Sequence, residues 1–175
     1  SPPVVEHVYE TGRISMGGGD QTAIPIIDLN VFTDPSGDIH DRFRAFSLRD
    51  RLGAGSSPDA APGFQIWTRS ASGGGLGQAL ADATSGGTLG VDAVRVIDAW
   101  LTALAADQEG GPIDEVLRRT RPKAAVDSCL PDGATTPVVG LDTYTDRGPC
   151  RDEFPLAGDP RTAAGAPRSN EIIKC

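Results

Sequence analysis

The chain has 175 residues, about the length of one domain, of which 38% are apolar and 5% aromatic. With 22 Gly and 14 Pro, it is predicted to be a loop-rich globular protein with a lean core. Its 16 basic and 24 acidic residues give a net charge of −8 without a basic stripe, which argues against a nucleic-acid partner. No apolar run approaches the ~18 residues of a membrane span.

The first predicted strand covers residues 24–32, an apolar run with β-branched residues that is typical of a strand covered on both faces. Pro25 places the start of the strand near that position. An acidic turn follows, and it brings Asp34, Asp38 and His40 into one short segment. Open α/β sheets present functional side chains in this way, at the carboxyl ends of their strands.

An amphipathic helix is predicted after this turn, with Asp38 as its N-cap. Its apolar positions recur at helical spacing, and the charged residues between them are expected on the face turned away from the sheet. The apolar set is Ile39, Phe43, Phe46 and Leu52, and the charged set is Arg42, Arg44, Arg49, Asp50 and Arg51. A second strand is predicted over 64–68, so this half of the chain predicts a parallel strand–helix–strand crossover.

The strongest helix pattern covers residues 91–107 and ends before the stop signal at 110–112. Its predicted buried stripe consists of Val94, Ile97, Trp100, Leu101 and Leu104. Short helices are predicted over 76–83 and 113–119. The chain beyond Val126 is turn-rich and thinly apolar, and we expect it to wrap the surface, held by a disulfide and by Phe154, Ile172 and Ile173.

The three cysteines lie in polar sequence rich in Pro and Gly, which favours a structural disulfide over a reactive thiol. We expect Cys129 to pair with Cys150. Cys175 is then either free or paired with sequence outside this chain, and three unpaired cysteines in a cytosolic protein are the alternative. A disulfide indicates an oxidising compartment, so a secreted or periplasmic location is expected. Residues 1–3 carry neither a charged leader nor an apolar segment, as expected of a mature or processed product.

Several blocks in order resemble a family of secreted bacterial α/β-hydrolase-like proteins that is distantly similar to tannase, feruloyl-esterase and hydroxyacid-oligomer hydrolases. These blocks are VYETGRISMGGG, IPIIDLNVFTD, GDIHDRFRAFSLRDRL, IDAWLTAL, EFPLAGDPR and AGAPRSNEIIKC. The resemblance implies an α/β fold in which this chain is the carboxyl-terminal portion of an α/β-hydrolase-type parallel sheet. Residues 1–125 would complete that sheet, and residues 126–175 would form a long, irregular, disulfide-held extension packed on it.

The resemblance also implies a serine hydrolase triad in the chain order nucleophile, acid, histidine. Asp34 matches the acid, because it stands where the loop leaves the strand. No G-x-S-x-G occurs in the sequence, so the nucleophile would lie in an amino-terminal portion or a partner chain. The base is assigned to His40, with His7 as the alternative, and either Asp34 or Asp38 would orient it.

Simpler interpretations stay open for these residues. His40 could merely be solvated in the first turn of a helix, and Asp34 could be a turn former before Pro35. The glycines at 17–19 and 73–75 favour flexible loops over a phosphate site. No cysteine or acidic spacing matches a zinc or calcium pattern, so neither a metal nor a cofactor is expected.

The resemblance, together with the departures from it, implies two possible functions. The first is an ester-cleaving serine hydrolase in which this chain supplies acid and base, acting on small or polymeric esters together with a second polypeptide or segment that carries the serine. The alternative is a non-catalytic accessory chain with a degenerate hydrolase sheet, because no histidine follows the second strand where the family plan would put the base. A sugar- or wall-binding module is disfavoured by the low aromatic content.

Overall fold

The computed structural model of the protein describes residues 23–36, 42, 45–46, 48–49, 52, 61–70, 88–140 and 148–155. The strands in these ranges are β1 (Ile26–Phe32), β2 (Phe64–Ser70), β3 (Ser128–Leu130) and β4 (Val138–Val139). The helices are α1 (Thr88–Ala106), α2 (Ile113–Thr120) and α3 (Pro149–Glu153). A 3-10 turn, Asp34–Ser36, follows β1.

The four strands form one mixed sheet in the order β1-β2-β3-β4. β1 pairs with β2 in parallel from Ile26 opposite Phe64 to Phe32 opposite Ser70, which confirms the predicted crossover and an α/β architecture. β3 joins β2 in parallel, whereas β4 joins β3 antiparallel. The sheet is therefore not purely parallel, because the short connection over residues 131–137 returns the chain as a hairpin. Residues 126–140 thus contribute two short strands to the sheet.

Side chains alternate between the two faces of the sheet and feed two separate cores. One core contains Phe64, Ile66 and Cys129 from the strands, packed with Phe46 from the β1–β2 connection and Phe154 after α3. The other core, on the opposite face, is built around Trp67, Leu89 and Ala93, with Ile27, Leu29 and Leu130 packed against it. The β1–β2 connection and α1 therefore cover opposite faces of the sheet.

Helix α1 buries only part of the predicted stripe. Trp100 is buried and Ile97 and Leu104 are partly buried, but Val94 and Leu101 are 69% and 51% exposed. The side chains that face the sheet are instead Leu89, Ala93 and Val96. The buried stripe follows positions 89, 93, 96 and 100, which is helical spacing. The prediction considered only large apolar side chains and so did not include the small buried residue Ala93.

The helix after β1 also differs from its prediction. Ala45, Phe46, Leu48 and Arg49 are helical, and Phe46 lies in the core as expected. Arg42 and Arg49, however, are each only 1% exposed, so the prediction that they face away from the sheet is wrong. They lie seven residues apart, about two helical turns, on the same side as Phe46. Arg49 in this helix and Arg42 in a turn before it therefore both direct their guanidinium groups at aromatic rings of the sheet, those of Phe64 and Phe32.

Candidate functional site

Asp34 lies immediately beyond the carboxyl end of β1, at the start of the 3-10 turn, and is 9% exposed. β1 and β2 are parallel, so their carboxyl ends lie side by side at this edge. Ligands and catalytic side chains of open α/β sheets collect at such an edge. The position of Asp34 therefore agrees with the expectation drawn from the sequence.

The carboxylate of Asp34 is held by Arg42. Oδ1 accepts hydrogen bonds from the backbone N–H of Arg42 at 3.2 Å and from its Nε at 3.3 Å, and Oδ2 accepts one from Nη2 at 3.3 Å. This two-point contact fixes the plane of the carboxylate as well as its position. Among the described residues, Oδ2 accepts only that one bond, which leaves one of its lone pairs for a further donor.

Arg42 is held in turn by two backbone carbonyl groups, which contact the same guanidinium nitrogen that donates to Oδ2 of Asp34. Nη2 donates to the carbonyl oxygens of Phe154 at 2.9 Å and of Pro155 at 3.2 Å. The guanidinium carbon lies 4.6 Å from the ring centroid of Phe32. It lies 6.0 Å from the ring centroid of Phe46 and 5.9 Å from that of Phe154. A buried cation in such an aromatic setting gains from the ring quadrupoles. Arg42 thus joins the turn after β1 to the segment after α3.

Three of the predicted functional residues, His40, Asp38 and Cys175, lie outside the described residues, as does the alternative base His7. The remaining prediction about cysteines is confirmed, because Cys129 on β3 is disulfide-bonded to Cys150 in α3, with a Cα–Cα distance of 5.7 Å. Phe154 is buried, as expected for the residue that anchors this segment. Ile172 and Ile173, the other two predicted anchors, also lie outside the described ranges.

Hydrogen-bonded polar side chains link β1 to β2 on the face of the sheet that carries Phe64 and Ile66. Asn30 donates to Oδ1 of Asp28 at 3.1 Å, and the hydroxyl of Thr68 donates to Oδ1 of Asn30 at 3.0 Å. Burial raises the pKa of the Asp28 carboxyl, and the Asn30 hydrogen bond and the Arg49 charge oppose that rise.

Sequence reasoning missed a second buried ion pair. Arg49 donates to both oxygens of Asp127, at 2.7 Å from Nη1 and 2.5 Å from Nη2. Oδ1 of Asp127 also accepts the backbone N–H of Ile66 at 2.9 Å. Burial raises the pKa of Asp127, and Arg49 acts in the opposite direction. The seven-residue spacing of Arg42 and Arg49 around Phe46 is the sequence signal that could have identified both guanidinium groups as buried.

Two other kinds of site are absent from the described ranges. No group of three or more His, Cys, Asp or Glu side chains there could hold a metal ion. No helix in that part of the chain is long and apolar enough to cross a membrane.

Fold and site together define a disulfide-containing α/β protein with an acidic side chain fixed at the carboxyl edge of its sheet. The chain belongs to the Tannase-like family of unknown function (DUF6351), which matches residues 1–175. The predicted similarity to tannase is therefore confirmed at the level of the family. No curated protein and no solved structure matches the chain.

Proposed function

We propose that this chain is part of an ester-cleaving serine hydrolase, in which Asp34 orients His40 and His40 activates a serine carried by another segment or polypeptide. The observation that carries the proposal is the setting of Asp34. Its carboxylate is buried at the carboxyl edge of parallel strands, fixed in orientation, and left with a lone pair on Oδ2. A triad acid needs these properties to hold an imidazole in one tautomer and to stabilise the cation that forms.

The layering of the chain also supports a hydrolase of α/β type. The β1–β2 connection covers one face of the sheet and α1 covers the other, as in α/β folds whose parallel strands are enclosed by helices. The description of the family as tannase-like points to esters as the substrate class. The disulfide between Cys129 and Cys150 supports secretion, because such bonds persist in oxidising compartments.

The test uses the protein isolated from its natural source with any associated polypeptide. A fluorophosphonate probe should label a serine in that material, and hydrolysis of p-nitrophenyl acetate should be measurable. His40→Ala and Asp34→Asn should each lower kcat by roughly 10²–10⁴-fold. His7→Ala tests the alternative base and should keep wild-type kcat, whereas a loss in this variant alone would assign the base to His7. The proposal is contradicted if the probe labels none of the polypeptides, or if His40→Ala keeps full activity.

A second candidate is an accessory chain that keeps the hydrolase sheet without its chemistry. The three hydrogen bonds between Asp34 and Arg42 favour it, because they give the carboxylate a structural partner. In that case Asp34→Asn should lower stability or assembly while any hydrolysis by the complex stays unchanged. Measuring melting temperature and kcat on the same preparations separates the two candidates.

A further inference from the structure

The contacts of Arg42 form a continuous path from the disulfide to the candidate acid. Cys150 lies in α3 and is bonded to Cys129 on β3. The N–H of Phe154 donates to the carbonyl oxygen of Cys150 at 3.0 Å, so the residue after α3 is held to the half-cystine. The carbonyl oxygens of Phe154 and Pro155 then accept hydrogen bonds from Nη2 of Arg42, and that same nitrogen donates to Asp34.

We infer that Arg42 is a positioning residue for Asp34, and that it transmits to this carboxylate the position of the disulfide-held segment after α3. For its effect on hydrolysis the inference rests on the proposed function. The transmission itself is a property of the fold and can be tested without any substrate.

The geometry supports this role for an arginine in particular. The planar guanidinium contacts the carboxylate along one edge through Nε and Nη2, while Nη2 also reaches both carbonyl oxygens. The ring of Phe32 lies 4.6 Å from its carbon and limits its rotation. A lysine would keep the charge but could not fix the carboxylate plane through two donors. Without the two carbonyl oxygens, the side chain of Arg42 would keep only Asp34 as a hydrogen-bond partner among the described residues.

The first experiment measures ester hydrolysis by the whole protein with p-nitrophenyl acetate. Arg42→Gln should lower kcat by about 10–100-fold with KM within about twofold, because a misplaced acid slows the chemistry without altering binding. Arg42→Lys should recover part of that loss. The matched control is Arg49→Gln, which removes the other buried arginine, should lower the melting temperature, and should keep wild-type kcat below its unfolding range.

Reduction of the disulfide gives the second arm of that experiment. Dithiothreitol should lower kcat of the wild type and of Arg49→Gln by similar factors. It should lower kcat of Arg42→Gln by less than about twofold, because the path to Asp34 is already broken. Wild-type kcat in Arg42→Gln, or equal losses on reduction in both arginine variants, would overturn the inference.

Hydrogen exchange tests the transmission independently of catalysis. Reduction of the wild type should speed exchange of the backbone amides of Thr33, Asp34 and Ser36, and Arg42→Gln should speed the same amides without reduction. Arg49→Gln should affect residues 64–68 instead. If these amides respond while no ester is hydrolysed, the proposed function fails and the transmission stands. If exchange of these amides is unchanged when the wild type is reduced, the inference fails. This measurement uses only the wild type, so it does not depend on whether a variant folds.

Discussion

The two buried arginine–aspartate pairs of this protein use the same chemistry in different settings. The site pair, Arg42 with Asp34, joins residues eight positions apart at the edge of the sheet, with contacts of 3.2–3.3 Å. The core pair, Arg49 with Asp127, joins residues 78 positions apart beside β2, with contacts of 2.5 and 2.7 Å. Both pairs are almost completely removed from solvent.

The difference lies in what else each carboxylate does. The carboxylate of Asp127 accepts hydrogen bonds from the side chain of Arg49 and also from the backbone N–H of Ile66 on β2. Asp34 accepts only from Arg42 among the described residues, and its longer contacts leave Oδ2 able to take a further donor. The core pair joins the β1–β2 connection to β2 and to the segment before β3, whereas the site pair fixes the orientation of one carboxylate at the edge of the sheet.

Breaking the core pair on one side should give the largest loss of stability. Asp127→Ala leaves the Arg49 guanidinium buried without its carboxylate and the N–H of Ile66 without its acceptor. We expect the free energy of unfolding to fall by about 3–5 kcal/mol, measured by urea denaturation.

The control for this prediction removes both charges together. Arg49→Met combined with Asp127→Asn keeps an oxygen for the N–H of Ile66 and leaves no buried charge. Most of the lost stability should return, because a buried ion pair adds little over neutral groups of similar size. A double variant that is less stable than Asp127→Ala would show that the pair itself stabilises the fold.

The disulfide should affect the two pairs unequally. Replacing Cys129 and Cys150, which are 21 positions apart, by alanine should lower the free energy of unfolding by about 3 kcal/mol through the entropy of the open loop. In a double-mutant cycle this change should couple to Arg42→Lys by about 0.5 kcal/mol or more, and should be additive with Arg49→Lys. Equal coupling to both arginines would remove the distinction between the pairs.

Asp28 differs from both pairs because it is a partly buried carboxylate whose described hydrogen bond comes from an amide, that of Asn30. Its pKa is raised in the folded state, so stability is lost as the pH rises through the unfolded value of 3.8 toward the folded value. Asp28→Asn should therefore raise stability at pH 7 by about 1 kcal/mol or less, a gain that disappears below pH 3.8. Urea denaturation at both pH values measures it. A variant less stable at pH 7 contradicts the expectation.

The sequence predicted the elements better than the arrangement of charges. Strands β1 and β2, helix α1 and the pairing of Cys129 with Cys150 follow from apolar runs, helical stops and turn-rich cysteine neighbourhoods, which are local signals. Arg42 has one partner nearby in sequence, Asp34, but its other partner Phe154 lies 112 positions away, and Asp127 lies 78 positions from Arg49. A prediction from helical spacing places an arginine on the solvent-exposed face of a helix. Its burial depends on carboxylates and aromatic rings that tertiary packing brings close to it.

A third arginine–aspartate pair, at the surface, should show the smallest effect. Arg119 contacts Asp107 at 2.6 Å, and their hydrogen bond lowers the pKa of Asp107 to about 2. The pair therefore stabilises the fold above the unfolded value of 3.8, and this contribution is lost as the pH falls toward about 2. Arg119→Gln should move the pKa of Asp107 back toward 3.8 in a carboxyl NMR titration, with a smaller change in melting temperature than any of the core-pair variants.

High salt should weaken this surface pair and leave the core pair unchanged, because solvent ions screen only exposed charges. A melting temperature that falls as far in Arg119→Gln as in Asp127→Ala would show that burial is not what separates these pairs.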